Sequence, residues 1–253
     1  ALRCQNTCHK MIPTLSTPAL VLHTTAYSES SVIAKIFTRQ LGVRSYILKG
    51  VRKGGSRTKQ NLLQPLSYLD LVVYNNPKTS INYLKEIAPH RGIPQSIAMA
   101  RADEMSRHAL RFFMTELLYK TLREEEPMPE LFDYVVDAMH PQSPIPAAQL
   151  PITFMLSVSR HMGIEPLDNY SPREPLFDML AGRYQYSGEH TLHGSTSLLL
   201  HHYLQAVDGG SPLPAATLAQ RTELINRMLE YFQLHLAEFH NFQSHEILHS
   251  VLQ

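Results

Sequence analysis

Eight basic side chains and no acidic one lie between Ser30 and Leu69 of this 253-residue chain. They are Lys35, Arg39, Arg44, Lys49, Arg52, Lys53, Arg57 and Lys59. Cations grouped in this way favour a polyanionic partner, because each of them can pair with a phosphate oxygen. The remaining residues carry 15 bases against 22 acids, so the net charge of +1 conceals a strongly positive segment. The alternative is a solvated turn region with no ligand.

The basic residues are densest in "ILKGVRKGGSRTK", residues 47–59. Five of the eight bases lie here, spaced by Gly50, Gly54 and Gly55. Glycine lets a backbone turn tightly and approach a ligand closely. Lysine and arginine meet phosphates without reading bases. We therefore predict a loop that clamps phosphates and binds nucleic acid independently of its sequence.

The elements that would position this loop have the pattern of short strands rich in β-branched and aromatic residues, separated by Gly, Pro, Asn and Ser. We predict strands near residues 19–26, 31–39, 43–50, 66–75 and 80–88. In "LSYLDLVVY" apolar residues alternate, as in a strand with one buried face. Five short strands predict a small closed barrel of the OB-fold type, which commonly binds nucleic acid.

The alternation within two of these strands places cations beside aromatic rings. Lys35, Phe37 and Arg39 share one face of the second strand, and Arg44 shares a face with Tyr46 in the third. Cations that follow phosphates and rings that stack on bases are typical of a platform for single strands. A core position for Phe37 and Tyr46 is the alternative, since aromatic residues at strand spacing usually fill cores.

Beyond Pro89 the apolar period becomes helical. The first helix has the inward positions Ala98, Ala102, Met105, Ala109, Phe112, Phe113, Leu117 and Tyr119. The second follows "PMPE" with Leu131, Val135, Ala138 and Met139 inward, and the third runs from Ile152 to Met162 and stops at Gly163. Further helices are predicted near 195–207, 221–238 and 245–252, with Ser195 and Ser244 as caps of the first and last.

The predicted organisation is an N-terminal five-stranded OB-fold barrel followed by an α-helical bundle. Residues 1–10 form a polar tail, residues 11–88 the barrel and residues 89–253 the helical domain. The segment 164–194 is too rich in Pro, Gly and Tyr for a long helix and is predicted to be an irregular insert with a small hairpin around Gly182.

Several segments resemble the RecO family of bacterial recombination mediators. They are "LVLHTTAYSESSVIAKIFTRQLGVRSYILKGVRK", "LLQPLSYLDLVV" and "INYLKEIA" in the barrel, then "ELLYKTLREEEPMPELFDYVVDAM" and "LEYFQLHLAEFHNFQSHEILHSVL". The resemblance covers nearly the whole chain from about Ala19. Lys49, Gly50 and Arg52 match the Lys-Gly-x-Arg motif of that family, whereas Lys53, Arg57 and Lys59 match only in charge.

The resemblance implies a DNA repair function. Proteins similar to RecO bind single- and double-stranded DNA, anneal complementary strands, and work with RecR to load RecA onto DNA coated by single-strand binding protein. Several also bind the acidic C-terminal tail of that protein through the helical domain. The resemblance locates no residue for the tail; Arg107, Arg111, Lys120 and Arg123 are cations available on the first helix.

This sequence departs from the family in the insert. Many members hold four cysteines there as two C-x2-C pairs, a zinc-ribbon spacing, whereas the only two cysteines here are Cys4 and Cys8. We therefore predict no zinc and no cofactor. Burial of the apolar residues Tyr170, Phe177, Leu180 and Tyr184 would hold the insert instead. His190 and His193 are predicted to be surface residues.

An enzyme is the weaker alternative. His245 and His249 lie four residues apart with Glu246 beside them, but the motif is not H-E-x-x-H and has no third ligand. The acids Glu124 to Glu126 indicate a solvated helix end rather than a catalytic pair. An RNA-binding or other OB-fold adaptor remains open as well.

The cellular compartment follows from what the sequence lacks. No apolar run approaches the roughly 20 residues that a membrane helix needs, and the N-terminal residues lack the apolar middle of a signal peptide. Two cysteines in a polar leader fit a reducing compartment. We predict a soluble, cytoplasmic protein associated with the nucleoid, with no membrane partner.

Overall fold

The computed structural model describes residues 13–51, 60–74, 81–91, 103–124, 126–140 and 143–251. Its N-terminal strands are β1 (Thr14–Ala26), β2 (Val32–Thr38), β3 (Gly42–Leu48), β4 (Tyr68–Tyr74) and β5 (Ile81–Pro89). They form a closed barrel in the order β1-β2-β3-β5-β4, in which the long β1 pairs with both β2 and β4 and the pair β3 and β5 is parallel. This is the OB-fold, as the sequence predicted. The observed β1 begins five residues before its predicted start.

The barrel interior is filled by one face of each strand. Leu69, Leu71 and Val73 of β4 are buried, which confirms the alternation seen in the sequence. Ala34 and Ile36 of β2 point into the same cluster. Val51, Leu62 and Leu63, which come after β3 in the chain, also belong to this interior.

Part of the outer barrel surface packs against helices. Leu20, Phe37 and Val43 project outwards and join a second apolar cluster built mainly from helical residues. The two rings Phe37 and Phe132 meet edge to face with centroids 5.3 Å apart. One continuous core therefore joins the strands to the helices. The boundary at residue 88 between two domains remains a prediction.

Six helices lie among the described residues. They are α1 (Glu104–Thr121), α2 (Pro129–Met139), α3 (Leu150–His161), α4 (Gly194–Val207), α5 (Leu218–His235) and α6 (Ser244–Val251). Five of them confirm the predicted helices within a few residues, whereas α1 begins only at Glu104, with Asp103 as its N-cap, later than the sequence predicted. In the part of the chain that the structure describes, none of them is long and apolar enough to span a bilayer.

The inward face of α1 differs in part from the prediction. Ala109, Phe113 and Leu117 are buried, but Met105, Phe112 and Tyr119 are 67%, 47% and 37% exposed. These three lie seven residues apart and form one line beside the buried stripe, since seven residues are nearly two turns. Ala98 and Ala102 lie outside the described residues. In α2 the predicted inward residues Leu131, Val135, Ala138 and Met139 are all buried.

Neither Ser195 nor Ser244 caps its helix through its side chain as predicted. Ser195 lies within α4, whose N-cap residue is His193 and has no side-chain cap bond. Ser244 is the first residue of α6, and its backbone N–H donates to the Glu116 carboxylate at 2.7 Å. Glu116 lies on α1, so a residue distant in sequence satisfies this terminus, which no local pattern can show.

The insert contains the predicted hairpin. Strands β6 (Leu176–Asp178) and β7 (Arg183–Gln185) pair across a turn that ends at Gly182, whose φ is +67°. Phe177 and Tyr184 are buried as predicted, whereas Leu180 is 57% exposed. Hydrogen bonds also hold the insert against α4, because the buried Ser197 hydroxyl accepts from the Phe177 N–H and donates to the Pro175 carbonyl.

Candidate nucleic-acid interface

Lys35 of β2 and Arg39, the residue that follows β2, are both paired with acids of the helical part of the chain. Arg39 donates from Nε and Nη2 to both carboxylate oxygens of Asp133, at 2.8 and 2.7 Å. These hydrogen bonds hold the pKa of Asp133 below its ordinary value. Lys35 Nζ lies 3.4 Å from a carboxylate oxygen of Glu124 and 4.9 Å from the centroid of the Tyr119 ring. Both cations therefore tie the barrel to the helical part of the chain.

The two aromatic rings predicted to accompany cations, Phe37 on β2 and Tyr46 on β3, do not form a platform. Phe37 is fully buried against the helices, and Tyr46 is fully buried inside the barrel. Burial raises the pKa of Tyr46 to about 12. Neither ring can stack on a base, so the platform interpretation of these two residues is wrong and the core alternative is correct. The alternation of residues along a strand shows which side chains share a face. It cannot show that helices cover the outer face of β2 at Phe37.

The other predicted cations have different environments. Arg44 is half-buried on β3. Its positive charge lies close enough to Tyr46 to lower the pKa of that hydroxyl, against the larger opposite effect of burial. Lys49 is exposed in the turn that follows β3, with Nζ 5.3 Å from the centroid of the Tyr83 ring. Arg52, Lys53, Arg57 and Lys59 lie outside the described residues. The binding role of all eight cations remains a prediction.

Strand register shows which part of the outer barrel surface is open. The row Thr25, Ile33, Ile47 and Tyr83 crosses β1, β2, β3 and β5, and the row His23, Lys35, Ser45 and Ile81 runs beside it. Residues of these rows are half-buried or exposed, whereas the next outward residues, Phe37 and Val43, are covered by helices. The accessible surface thus lies at the end of the sheet where Lys49 and the basic segment leave β3.

A cleft of about 440 Å³ adjoins this open surface. Its lining comes from the end of β3, from β4 and from β5, and includes Lys49, Tyr74, Tyr83, Lys85 and Glu86. Tyr83 is 52% exposed. Sequence reasoning missed these tyrosines, although the alternation Ile81, Tyr83 and Lys85 along one strand could have indicated them.

Two further clefts meet beside Tyr119, where α1 approaches the barrel. The more polar one, of about 580 Å³, is lined by Lys35, Lys120, Arg123 and His240 among others. The more apolar one, of about 470 Å³, includes Phe112 and Ile247.

The four cations proposed as available to a partner, three on α1 and Arg123 two residues beyond its end, differ in their environments. Arg111 donates to the Pro65 carbonyl from Nε and Nη2, and Lys120 donates to the His240 carbonyl at 2.6 Å. Arg107 also has a partner, and Arg123 is exposed.

Metal-binding residues are not grouped within the described ranges. His190 and His193 are exposed, as predicted. No set of three or more His, Cys, Asp or Glu residues in those ranges could hold an ion. The His249 side chain, which the sequence places four residues after His245, lies outside the described residues.

The described fold defines a class of protein: an OB-fold barrel joined to α-helices, with a cationic segment that follows β3 in the sequence. Residues 11–92 match the family model "Recombination protein O N terminal". The chain is 27% identical over 243 residues to the DNA repair protein RecO of Christiangramia forsetii, covering 94% of this chain and 98% of that one. It is 26% identical to those of Bacteroides fragilis, over 92% and 96%, and of Porphyromonas gingivalis, over 91% and 96%. Part of the chain thus matches a RecO family model, and nearly its whole length is similar to proteins named DNA repair protein RecO.

Proposed function

We propose that this protein is a recombination mediator that binds single- and double-stranded DNA, anneals complementary strands and, together with RecR, helps to load RecA. The observation that carries the proposal is the exposed Lys49, at which the charge-biased segment leaves an OB barrel that matches a RecO family model. Four more bases follow within ten residues in the sequence. Cations of this kind bind both strands of an annealing pair, because phosphates are common to every sequence.

The clefts beside Tyr119 support a second part of the proposal, a site for the acidic C-terminal tail of single-strand binding protein. An acidic peptide with an apolar end needs cations beside an apolar recess. Arg123 and Lys120 line one cleft, and Phe112 and Ile247 line the other. We expect a tail peptide to shift NMR signals of these residues in the full chain and to leave those of the barrel cleft unchanged. Shifts confined to the barrel cleft would contradict this assignment.

The test of the main proposal is the annealing of complementary strands coated with single-strand binding protein, with and without RecR. We expect the protein to accelerate annealing of coated strands and to allow RecA filaments to form on them when RecR is present. Equal annealing rates with and without the protein would contradict the proposal. Competition with RNA of the same sequence separates the adaptor alternative, because only contacts to 2′-hydroxyl groups make RNA the preferred ligand.

A further inference from the structure

We infer that the outer face of β4 and β5 carries a base-stacking site for single-stranded DNA, built on Tyr74 and Tyr83 with Lys49 and Lys85 as phosphate partners. The inference rests on the proposed DNA-binding function and adds ring contacts to it. Phosphate clamping alone does not distinguish single strands from duplexes, whereas stacking does, because a duplex hides the faces of its bases.

The strand register brings the two tyrosines together on the outer face. Val73 of β4 pairs with Leu84 of β5, and both pack towards the barrel interior. Tyr74 directly follows Val73 and Tyr83 directly precedes Leu84, so the side chains of both tyrosines project to the opposite face. Both line the 440 Å³ cleft.

Neither ring serves the core. Tyr83 is 52% exposed and Tyr74 is 36% exposed, and both lie outside the apolar clusters formed by the described residues. The Lys49 ammonium lies over the Tyr83 ring, with its nitrogen 5.3 Å from the ring centroid. A cation held beside an exposed ring is suited to a nucleotide, whose base stacks while its phosphate pairs.

The charge around the cleft favours a nucleic acid over an apolar peptide. Lys49 and Lys85 contribute two positive charges to the lining against the negative charge of Glu86. Val51 also lines the cleft and directly precedes Arg52 and Lys53 in the sequence. The cleft is therefore continuous along the chain with the cationic segment proposed to hold phosphates.

A tryptophan reporter tests this site directly, because the chain contains no tryptophan. In the Tyr83→Trp variant of the full chain, we expect a thymidine oligonucleotide to quench the fluorescence. An abasic oligonucleotide of equal length should leave the fluorescence unchanged, since it offers the same phosphates without rings. The matched control is Tyr186→Trp, at a tyrosine of the insert that is 79% exposed, where no quenching is expected. Equal quenching by both oligonucleotides would overturn the inference.

Affinity measurements give a second test. Removing one stacked base contact in Tyr83→Ala should weaken single-strand binding about 5- to 150-fold. The affinity for duplex DNA and the salt dependence should stay as in the parent protein, and Tyr83→Phe, which keeps the ring, should retain single-strand affinity. A Tyr83→Ala variant that binds single strands like the parent overturns the stacking site alone. A parent protein that binds no DNA overturns the proposed function as well.

Discussion

Lys35 and Arg39 show how a neighbouring carboxylate changes what a cation can do. A phosphate that approached Arg39 would have to displace both oxygens of Asp133, which are already bound at 2.7 and 2.8 Å. The ammonium of Lys35 likewise lies beside Glu124. Lys49, by contrast, is exposed in its turn. At the level of single residues, the exposed cation is the better phosphate partner, although all three were predicted with equal weight.

We therefore expect Arg39→Gln to weaken single-strand binding less than Lys49→Gln does, as measured by fluorescence anisotropy with a labelled oligonucleotide. Arg39→Gln should also raise the pKa of Asp133 towards its ordinary value, measured by NMR titration of the carboxyl carbon. The stability contributed by this pair is present at neutral pH and is lost as pH falls through the lowered pKa of Asp133. A larger loss of affinity in Arg39→Gln than in Lys49→Gln would show that Arg39 contacts DNA directly.

Phe37 contributes to stability instead of stacking. Its ring is fully buried between the barrel and Phe132, so Phe37→Ala should leave a cavity and lower the free energy of unfolding by about 3–5 kcal/mol. Urea titration measures this change. Tyr27→Ala, at a residue that is 59% exposed, is the matched control and should change little. Folded Phe37→Ala protein should retain its DNA affinity, and a selective loss of affinity without destabilisation would contradict the core role.

At the scale of elements, β3 approaches the segment between α1 and α2 so closely that only glycine fits at its first residue. A Cβ atom at Gly42 would lie 2.2 Å from the carbonyl oxygen of Glu126, and the φ of Gly42 is +66°. Gly50, in the turn after β3, also has a positive φ, of +73°, but a Cβ there would meet nothing within 4 Å. A comparison of substitutions at Gly42 and Gly50 therefore separates the cost of a left-handed backbone, which both share, from the cost of a steric clash, which only Gly42 has.

Gly50→Ala should cost about 1–2 kcal/mol of unfolding free energy, the usual cost of a left-handed backbone for an L-residue. Gly42→Ala should cost clearly more, because the backbone of Glu126 must move as well. Thermal or urea unfolding of the two variants measures the difference. Equal destabilisation would show that the close approach between β3 and this segment does not contribute to stability.

The insert is held by the chain itself, so removal of metal should not affect it. Asn169 binds the backbone of Tyr184 through both its amide atoms, and His201 Nδ1 lies 2.6 Å from a carboxylate oxygen of Asp168. We expect a chelator to leave the melting temperature unchanged and the purified protein to contain less than one zinc per chain. One tightly bound zinc per chain, with unfolding on chelation, would contradict this and revive a histidine-ligated site.

The strands and helices could be predicted because residue patterns within each segment specify them. The tertiary contacts around each element could not be predicted in this way. Alternation in β4 and the 3.6-residue period in α2 identify elements from neighbouring residues alone. In β2 both faces are apolar in part, and the helix that covers Phe37 begins about 90 residues later. The pairing of Arg39 with Asp133 and the capping of α6 by Glu116 depend on the same tertiary packing. The site could therefore be assigned to the barrel, but its accessible residues could not.

Across the whole molecule, the acidic excess of the helical part partly neutralises the barrel. Glu124 and Asp133 balance two of the eight clustered cations. The positive field is thereby weakened where the helices meet β2 and is retained near Lys49, at the opposite end of the sheet. Long-range attraction of DNA should consequently be directed to the open end of the barrel. The cleft lined by Tyr74 and Tyr83 lies at the same end.

A combined charge neutralisation tests this picture. Replacing Lys49, Arg52, Lys53, Arg57 and Lys59 by glutamine should weaken single-strand binding strongly and to the same degree for unrelated sequences. Each lost phosphate contact should reduce the slope of log affinity against log salt by about 0.7, because one contact releases roughly that many counterions from a single strand. Affinities measured between low and high salt provide the slope.

The control for this variant is Arg173→Gln combined with Arg183→Gln, two exposed bases of the insert, which should leave both affinity and slope unchanged. The free energy of unfolding of the five-site variant should change by only about 0.5 kcal/mol or less, because surface substitutions rarely alter stability further. A folded five-site variant that kept its affinity and its salt slope would show that the positive segment is a solvated turn. The open end of the barrel would then lose its electrostatic basis as a DNA site, and binding would have to depend on cations elsewhere on the molecule.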